Sequence, residues 1–396
     1  MTTRFVSTVK PSGGDFTSLA SAVVGLANNL IVSNIKVFSV STYSSPVILQ
    51  GNIVTGQSSG ATGICVLFNA NRTQILIKSI VGTFQSGENV RTADLRTVML
   101  SNSGDSPSRN IFCYSMLDTT PVIIDGYVTS STNFVDIQAP IDRHSGKWDE
   151  TKYRLEINQD SVSGITIKVP NVIIHGLQIY MKVTPTTVEC SGIEIICSLP
   201  NINIIIYKNI IRGVASTNHW FEAIFDRWLS GSGICQVWNN IIYGFSGERG
   251  VGINFSVLNS YIYNNTTYNC GTWGGICIEG GTCIAINNLC YNNVLDFNGT
   301  FTASNNNFSR DNTAPGANSI HGATDGKTPD FVNIGIGTED LHIQSTSDAI
   351  GVGMTNPGSG LFSDDVDGIL REGIWDIGAD QFTTICPTIS LIFEVS

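Results

Sequence analysis

Short runs of alternating apolar and polar residues fill most of this chain. Ile165-Thr166-Ile167-Lys168-Val169 and Val172-Ile173-Ile174-His175-Gly176-Leu177-Gln178-Ile179 read as half-buried strands. Between residues 205 and 308 the runs return behind one phrase: Tyr207-Lys208-Asn209-Ile210-Ile211, Trp238-Asn239-Asn240-Ile241-Ile242-Tyr243, Leu258-Asn259-Ser260-Tyr261-Ile262-Tyr263, Ile286-Asn287-Asn288-Leu289-Cys290-Tyr291 and Ser304-Asn305-Asn306-Asn307-Phe308. The phrases recur every ~18–31 residues, about one turn of a parallel β-helix. Asparagine suits the corners of such a coil. It tolerates the left-handed backbone region, and its side chain can hydrogen-bond to the same residue in the coils above and below. The pattern predicts an all-β fold, a right-handed single-stranded parallel β-helix, with Asn209, Asn240, Asn288 and Asn306 at equivalent corners.

The N-terminal stretch changes period. Leu19, Val23, Val24 and Leu26 fall at helical spacing, with Asp15 or Thr17 placed to cap the helix. A helix there has a mechanical purpose, because the first coil of a solenoid exposes an apolar cross-section that must be covered. Ile35-Lys36-Val37-Phe38-Ser39-Val40 is then expected as the first full rung, followed by Thr42-Tyr43. Residues 45–110 break the pattern, and Thr120-Pro121-Val122-Ile123-Ile124-Asp125-Gly126-Tyr127 resumes it. The expected organisation is a cap and first rung over 1–44, an inserted small β domain over 45–110, the parallel β-helix over 111–382 and a C-terminal β segment over 383–396.

Several stretches resemble known families. Gly14-Asp15-Phe16-Thr17-Ser18-Leu19 is similar to the entry of many right-handed β-helix proteins. Val54-Thr55-Gly56-Gln57-Ser58-Ser59-Gly60-Ala61-Thr62-Gly63, followed by Gly82-Thr83-Phe84-Gln85-Ser86-Gly87-Glu88, resembles a small β module of tailed-bacteriophage structural proteins. Residues 143–156 are similar to a loop of uncharacterised β-helix proteins of phages and bacteria. Pro329-Asp330-Phe331-Val332-Asn333 through Trp375-Asp376-Ile377-Gly378-Ala379-Asp380-Gln381 resembles the C-terminal sequence of the pectate-lyase-like superfamily, where it marks the last coils and their closure.

Composition narrows the classes of function. With 40 Gly and 13% charged residues the chain has the makeup of a turn-rich all-β protein, and a net charge of −11 argues against a phosphate-binding surface, so no nucleic-acid partner is expected. No run reaches the roughly 18–20 apolar residues of a membrane span, and Met1-Thr2-Thr3-Arg4-Phe5 shows no secretory h-region. No membrane association is expected, and synthesis is expected in a bacterial host cytosol. Cys270, Cys277, Cys283 and Cys290 lie in apolar strand-like runs; packing as core thiols is favoured over disulfides or a zinc site.

Candidate chemistry concentrates in residues 214–233. His219, Trp220 and Trp228 are carbohydrate-binding candidates there, because indoles stack on sugar rings, and Glu222, Asp226 and Arg227 are the catalytic candidates. The plainer alternative is that these aromatics only cover a coil corner. The other acids are read as lying in loops, without the paired carboxylates on neighbouring rungs that a hydrolase of this fold uses. The run Asp364, Asp365, Asp367 is the one calcium candidate, but it lacks regular ligand spacing and reads better as a capped turn, so no metal or cofactor is expected. His144, Asp149 and Glu156 are read as parts of a structural loop. Together with the resemblances, these readings lead to an expected bacteriophage virion structural protein, a short spike or a capsid or tail decoration. Its expected partners are other virion proteins, host surface polysaccharide and two further copies of itself in a homotrimer. The alternative is a polysaccharide-degrading tailspike enzyme.

Overall fold

The computed structural model describes residues 4–383 except 29, 32–33, 103, 106–107, 142, 183–188, 215–218 and 228–231. Among them the chain winds as a parallel β-helix built from three parallel sheets, of eight, nine and seven strands. One coil runs Pro200–Tyr207, Ile210–Arg212 and Phe221–Asp226, one strand in each sheet, and the next runs Ser232–Trp238, Ile241–Tyr243 and Gly250–Phe255. Stacking is in register. Ile165, Ile193, Ile224, Ile253 and Ile276 lie directly above one another and are fully buried. Each such side chain contributes roughly 1.5–3 kcal/mol through burial, so the repeat that sets the register also supplies the core. Among the described residues no helix is long and apolar enough to cross a membrane.

The corner between the first and second strands of a coil uses two positions. Lys208, Asn239, Asn264, Asn287 and Asn306 take positive φ of 49–60°, turning the chain. The next residue of each pair points inward, and Asn209, Asn240, Asn265, Asn288 and Asn307 form a continuous ladder. The backbone N–H of Asn240 donates to Asn265 Oδ1 at 3.0 Å, its Nδ2 donates to the same oxygen at 2.9 Å, and that Nδ2 also reaches the carbonyl of Ile206 at 3.0 Å. The expected corners at Asn209, Asn240 and Asn288 are found. Asn306 is instead the turning residue and Asn307 the ladder member. The phrase at Leu258 marks a strand, Asn259–Tyr263, and not a corner: Tyr263 pairs with Trp238, so Asn264 and Asn265 make the corner.

The N-terminal helix spans Leu19–Leu26, capped by Ser18, whose Oγ accepts from Ser21 N at 3.1 Å. Asp15 and Thr17, the expected caps, do not serve. Asp15 instead accepts from Thr8 N at 2.8 Å and from Ala70 N at 2.5 Å, tying the helix approach to the inserted domain. Ala22 replaces Val24 on the buried stripe, and Val24 is exposed.

The inserted unit begins earlier than expected. Strands Lys36–Tyr43, Ile53–Gly56, Thr62–Phe68, Gln74–Val81, Asn89–Arg91 and Thr97–Leu100 close into an antiparallel barrel around Phe38, Val54, Phe68 and Phe84. The segment expected as the first rung is therefore a barrel strand, with Lys36 opposite Ile77. The true first rung is Phe5–Val9, which pairs in parallel with Arg109–Cys113. Alternation alone does not distinguish a barrel strand from a solenoid strand, which is why the boundaries shift from 45–110 to about the barrel's own strands.

The fold closes at a hairpin of Phe331–Asn333 and Asp340–Ile343 and a following loop-rich segment that packs back against the middle coils. Asn264 Nδ2 donates to the carbonyls of Asp376 and Gly378, and the buried Arg371 guanidinium donates to the carbonyls of Gly378 and Ala379.

Candidate functional site

Four neighbouring strands of the seven-stranded sheet, Cys190–Ile195, Phe221–Asp226, Gly250–Phe255 and Gly274–Ile278, carry the densest chemistry on a lateral face. Trp220 enters the second of them and meets Trp273 from two coils away, with ring centroids 4.5 Å apart and planes tilted by 58°. The Arg249 guanidinium lies 5.5 Å from the Trp220 ring. Beneath is a cavity of about 70 Å³ lined by Glu189, Trp220, Glu222, Phe225, Asn254 and Glu279.

Its floor offers more acceptor oxygens than there are donors to meet them. Glu222 is fully buried; one carboxyl oxygen accepts from Ser191 Oγ at 3.2 Å and the other has no partner. Burial, followed by the neighbouring Glu189 carboxylate, holds its pKa well above the ordinary value. Asn254 Nδ2 donates to Glu279 at 2.8 Å, while its buried Oδ1 has no partner.

The other candidates separate. Asp226 is buried and committed: it accepts from the backbone of Ser256, from Val257 N at 3.0 Å and from Leu258 N at 2.7 Å, capping the turn of the next coil. That removes it from the catalytic candidates. Arg227 pairs with Glu194 at 2.5 Å and lies 3.6 Å from Glu189, and Glu194 also accepts from Ser163 Oγ at 2.9 Å. His219 is half-buried beside Trp220, and Trp228 lies outside the described residues. Glu194 and Glu222 stand on adjacent strands, which corrects the expectation that acids are confined to loops. The partners that sequence reasoning missed, Glu189, Asn254, Trp273 and Glu279, come from three coils; Asn254 and Glu279, for example, are 25 residues apart.

A second aromatic row lies on the nine-stranded sheet. Tyr180, Arg212, Tyr243, Tyr268 and Tyr291 are in register, and Arg212 lies between the rings of Trp148 and Tyr180, 3.8 and 3.9 Å from their centroids. The signal was present in the sequence: three residues beyond ladder positions 240, 265 and 288 come Tyr243, Tyr268 and Tyr291. The hairpin at Phe331–Asn333 covers part of this row, with Phe331 edge-on to Tyr268 and Tyr291.

The acidic run does not converge on one point. Asp364 forms an ion pair with Lys208, and Asp365 accepts from Asp367 N at 2.9 Å, Ile369 N at 2.8 Å and Gln381 N at 3.1 Å, the bonding of a capped turn. Only Asp367 faces a potential ligand set: with His342 and Asp380 it forms the group of side chains that could hold a metal, their ligand atoms within 4.8 Å of one another. His144 and Asp149 lie in the loop as read, whereas Glu156 lies in the strand Arg154–Ile157 of the nine-stranded sheet, which corrects its placement. His144 is buried with Nε2 against the carbonyl of Lys208 at 2.9 Å, and burial pushes its pKa down to about 3. Glu156 pairs with Arg154 at 2.8 Å and Lys182 at 2.7 Å. All nine described cysteines are buried and free of disulfides; Cys270, Cys283 and Cys290 belong to the main core, while Cys277 stacks on Asn254 under the cleft.

Compared with known proteins, the chain matches no family model and no curated sequence.

Proposed function

We propose that this chain is a structural protein of a tailed-bacteriophage particle, a short spike or a capsid or tail decoration, and that it binds host polysaccharide at the cleft below Trp220. The observation that carries the binding reading is the Trp220–Trp273 pair set above a floor of hydrogen-bond acceptors. Indole faces stack on sugar rings, and acceptor oxygens take the donors that sugar hydroxyls supply. Strands of a stacked sheet hold such a site more rigidly than loops do. The particle assignment rests on the phage-like phrases at residues 54–63 and 82–88, both of which fall within the inserted barrel unit.

Trp220→Ala is expected to weaken attachment to host cells by about 1–3 kcal/mol, the loss of an aromatic anchor. Unchanged attachment in a cell-binding assay rejects the site. A second reading, a glycoside hydrolase, is favoured by one observation, the buried Glu222, its pKa raised chiefly by burial, beside the Glu189 and Glu279 carboxylates. Glu222→Gln separates the two: a binding protein keeps most of its affinity, whereas an enzyme using Glu222 as general acid loses turnover by orders of magnitude. Release of reducing ends from host polysaccharide, abolished by that substitution, would replace the first reading with the second.

The same proposal includes a homotrimer, with the contact expected from the C-terminal segment, of which 384–396 lie outside the described residues. Light scattering from the purified chain is expected to give three times the monomer mass, and a monodisperse monomer counts against it.

A further inference from the structure

The strongest unexplained arrangement lies where the closing segment meets the hairpin, on groups that the glycan site does not use. His342 is held at both ring nitrogens by carboxylates, Nδ1 by Asp340 at 2.5 Å and Nε2 by Asp367 at 3.1 Å. Asp380 completes the group, with ligand atoms of His342, Asp367 and Asp380 all within 4.8 Å of one another. Three carboxylates thus surround one imidazole. Of the nearby cations, Lys147 pairs with the outermost carboxylate, Asp340, at 3.3 Å, and Arg143 spends its donors on the backbone carbonyls of Val366 and Asp367. Among the described residues the imidazole is the one cation in a salt bridge with Asp367, and Arg371 reaches only the backbone carbonyl of Asp380, at 3.4 Å.

We propose that His342, Asp367 and Asp380 bind a divalent first-row transition metal of the zinc or manganese kind, with Asp340 as the residue that orients the imidazole. Four observations support it. The three ligand atoms all lie within 4.8 Å of one another, so small side-chain rotations bring them to the roughly 2.0–2.2 Å at which zinc binds nitrogen and oxygen ligands. A metal-bound histidine ordinarily donates its other N–H to a carboxylate, and Asp340 stands at Nδ1 in that position, leaving Nε2 to face the two remaining acids. Asp367 Oδ1 is buried without a hydrogen-bond partner, so a ligand position is already desolvated. Asp380 is 6% exposed and is fixed beside the imidazole by the backbone N–H of Ile343, at 2.8 Å from its Oδ2.

The loop at residue 146 fits the same picture. Gly146 has φ +72°, and a Cβ there would lie 2.3 Å from His342 Nε2 and 2.4 Å from Asp367 Oδ1. The ligand atoms keep room because this residue is glycine. The donor set also selects the ion. Calcium and magnesium favour all-oxygen shells, whereas imidazole combined with carboxylates suits zinc, manganese and cobalt. An ion here would join the hairpin strand Asp340–Ile343 to the turn at Asp367 and the closing segment at Asp380. Its role would be to staple the end of the solenoid shut.

The test uses the full chain after removal of metal with a chelator. Calorimetric titration with Zn²⁺ and Mn²⁺, and with Co²⁺ followed by its visible absorption, is expected to show one ion per chain and a rise in Tm. His342→Gln should abolish binding, and Asp340→Asn should weaken it by about 10- to 100-fold, the usual effect of losing a carboxylate behind a metal-bound histidine. If His342→Gln fails to fold, the wild-type titration and Asp340→Asn still decide. Absence of heat, absorption change and Tm shift with all three ions overturns the proposal. So does retention of both imidazole N–H protons by NMR at saturating Zn²⁺, which would leave His342 as an ion-paired latch, and so does binding of Ca²⁺ alone.

Discussion

The asparagine ladder at the coil corner and the pair Glu222 and Asn254 beneath Trp220 are both polar, both buried and both built by stacking one coil on the next, yet their hydrogen bonding is opposite. In the ladder every member answers its neighbour: Asn265 Oδ1 takes two donors from Asn240, and Asn265 Nδ2 reaches Val237, Tyr263 and Asn288. In the cleft, Glu222 and Asn254 each keep one buried oxygen with no partner. Leaving a buried acceptor unmade costs about 1–3 kcal/mol, so the ladder is stabilising and the cleft is tolerated at the expense of the fold. Two polar rows on one scaffold thus have two purposes, and bond satisfaction tells them apart where residue type does not.

Breaking the satisfied row has the larger expected effect. Asn265→Ala removes the acceptor for Asn240 N and Nδ2 together with the donor to Val237 and Asn288. With two or more buried groups orphaned, a loss of about 3–5 kcal/mol is expected, read as a lower midpoint in denaturant with the slope unchanged. A loss below about 1 kcal/mol would show that water replaces the ladder, and the comparison would collapse.

The same contrast explains what could be read from the chain. Ladder positions repeat, so the corners at Asn209, Asn240 and Asn288 were legible, and the slip at Asn306 arose because three asparagines in a row, Asn305-Asn306-Asn307, fit the phrase in more than one register. The barrel module was legible as a motif but not in its limits. Lys36–Tyr43 alternates as a rung would, and only its partners, Gln74–Val81 and Thr97–Leu100, assign it to the barrel. Glu222 and Asp226 looked equivalent as two acids four residues apart. Their fates differ because Asp226 meets the backbone N–H groups of Val257 and Leu258 in the next coil, while Glu222 meets only Ser191 in the previous one. The site was half legible for the same reason: Trp220 and Glu222 are close in sequence, whereas Trp273 and Glu279 join them only through stacking. The group at His342 was less legible still, since His342 and Asp367 are 25 residues apart and only Asp367 belonged to a conspicuous acidic run.

Repairing the unsatisfied row has the smaller effect and the opposite sign. Glu222 has a folded-state pKa raised well above its ordinary 4.5, chiefly by burial. An acid raised on folding holds its proton in the native state and releases it on unfolding, so its titration adds no cost below about pH 4.5 and destabilises the fold increasingly as pH rises from there towards the folded-state pKa. Glu222→Gln keeps the shape and the hydrogen bond to Ser191 but does not titrate. The variant is therefore expected to match the wild type at pH 4 and to exceed it at pH 7, measured by denaturant unfolding at both values. Equal stability of the two proteins at both pH values would mean that Glu222 meets water or a donor in the cleft as freely as it does in the unfolded chain. The cleft would then be no less satisfied than the ladder, and stability would have been no obstacle to placing a carboxyl there.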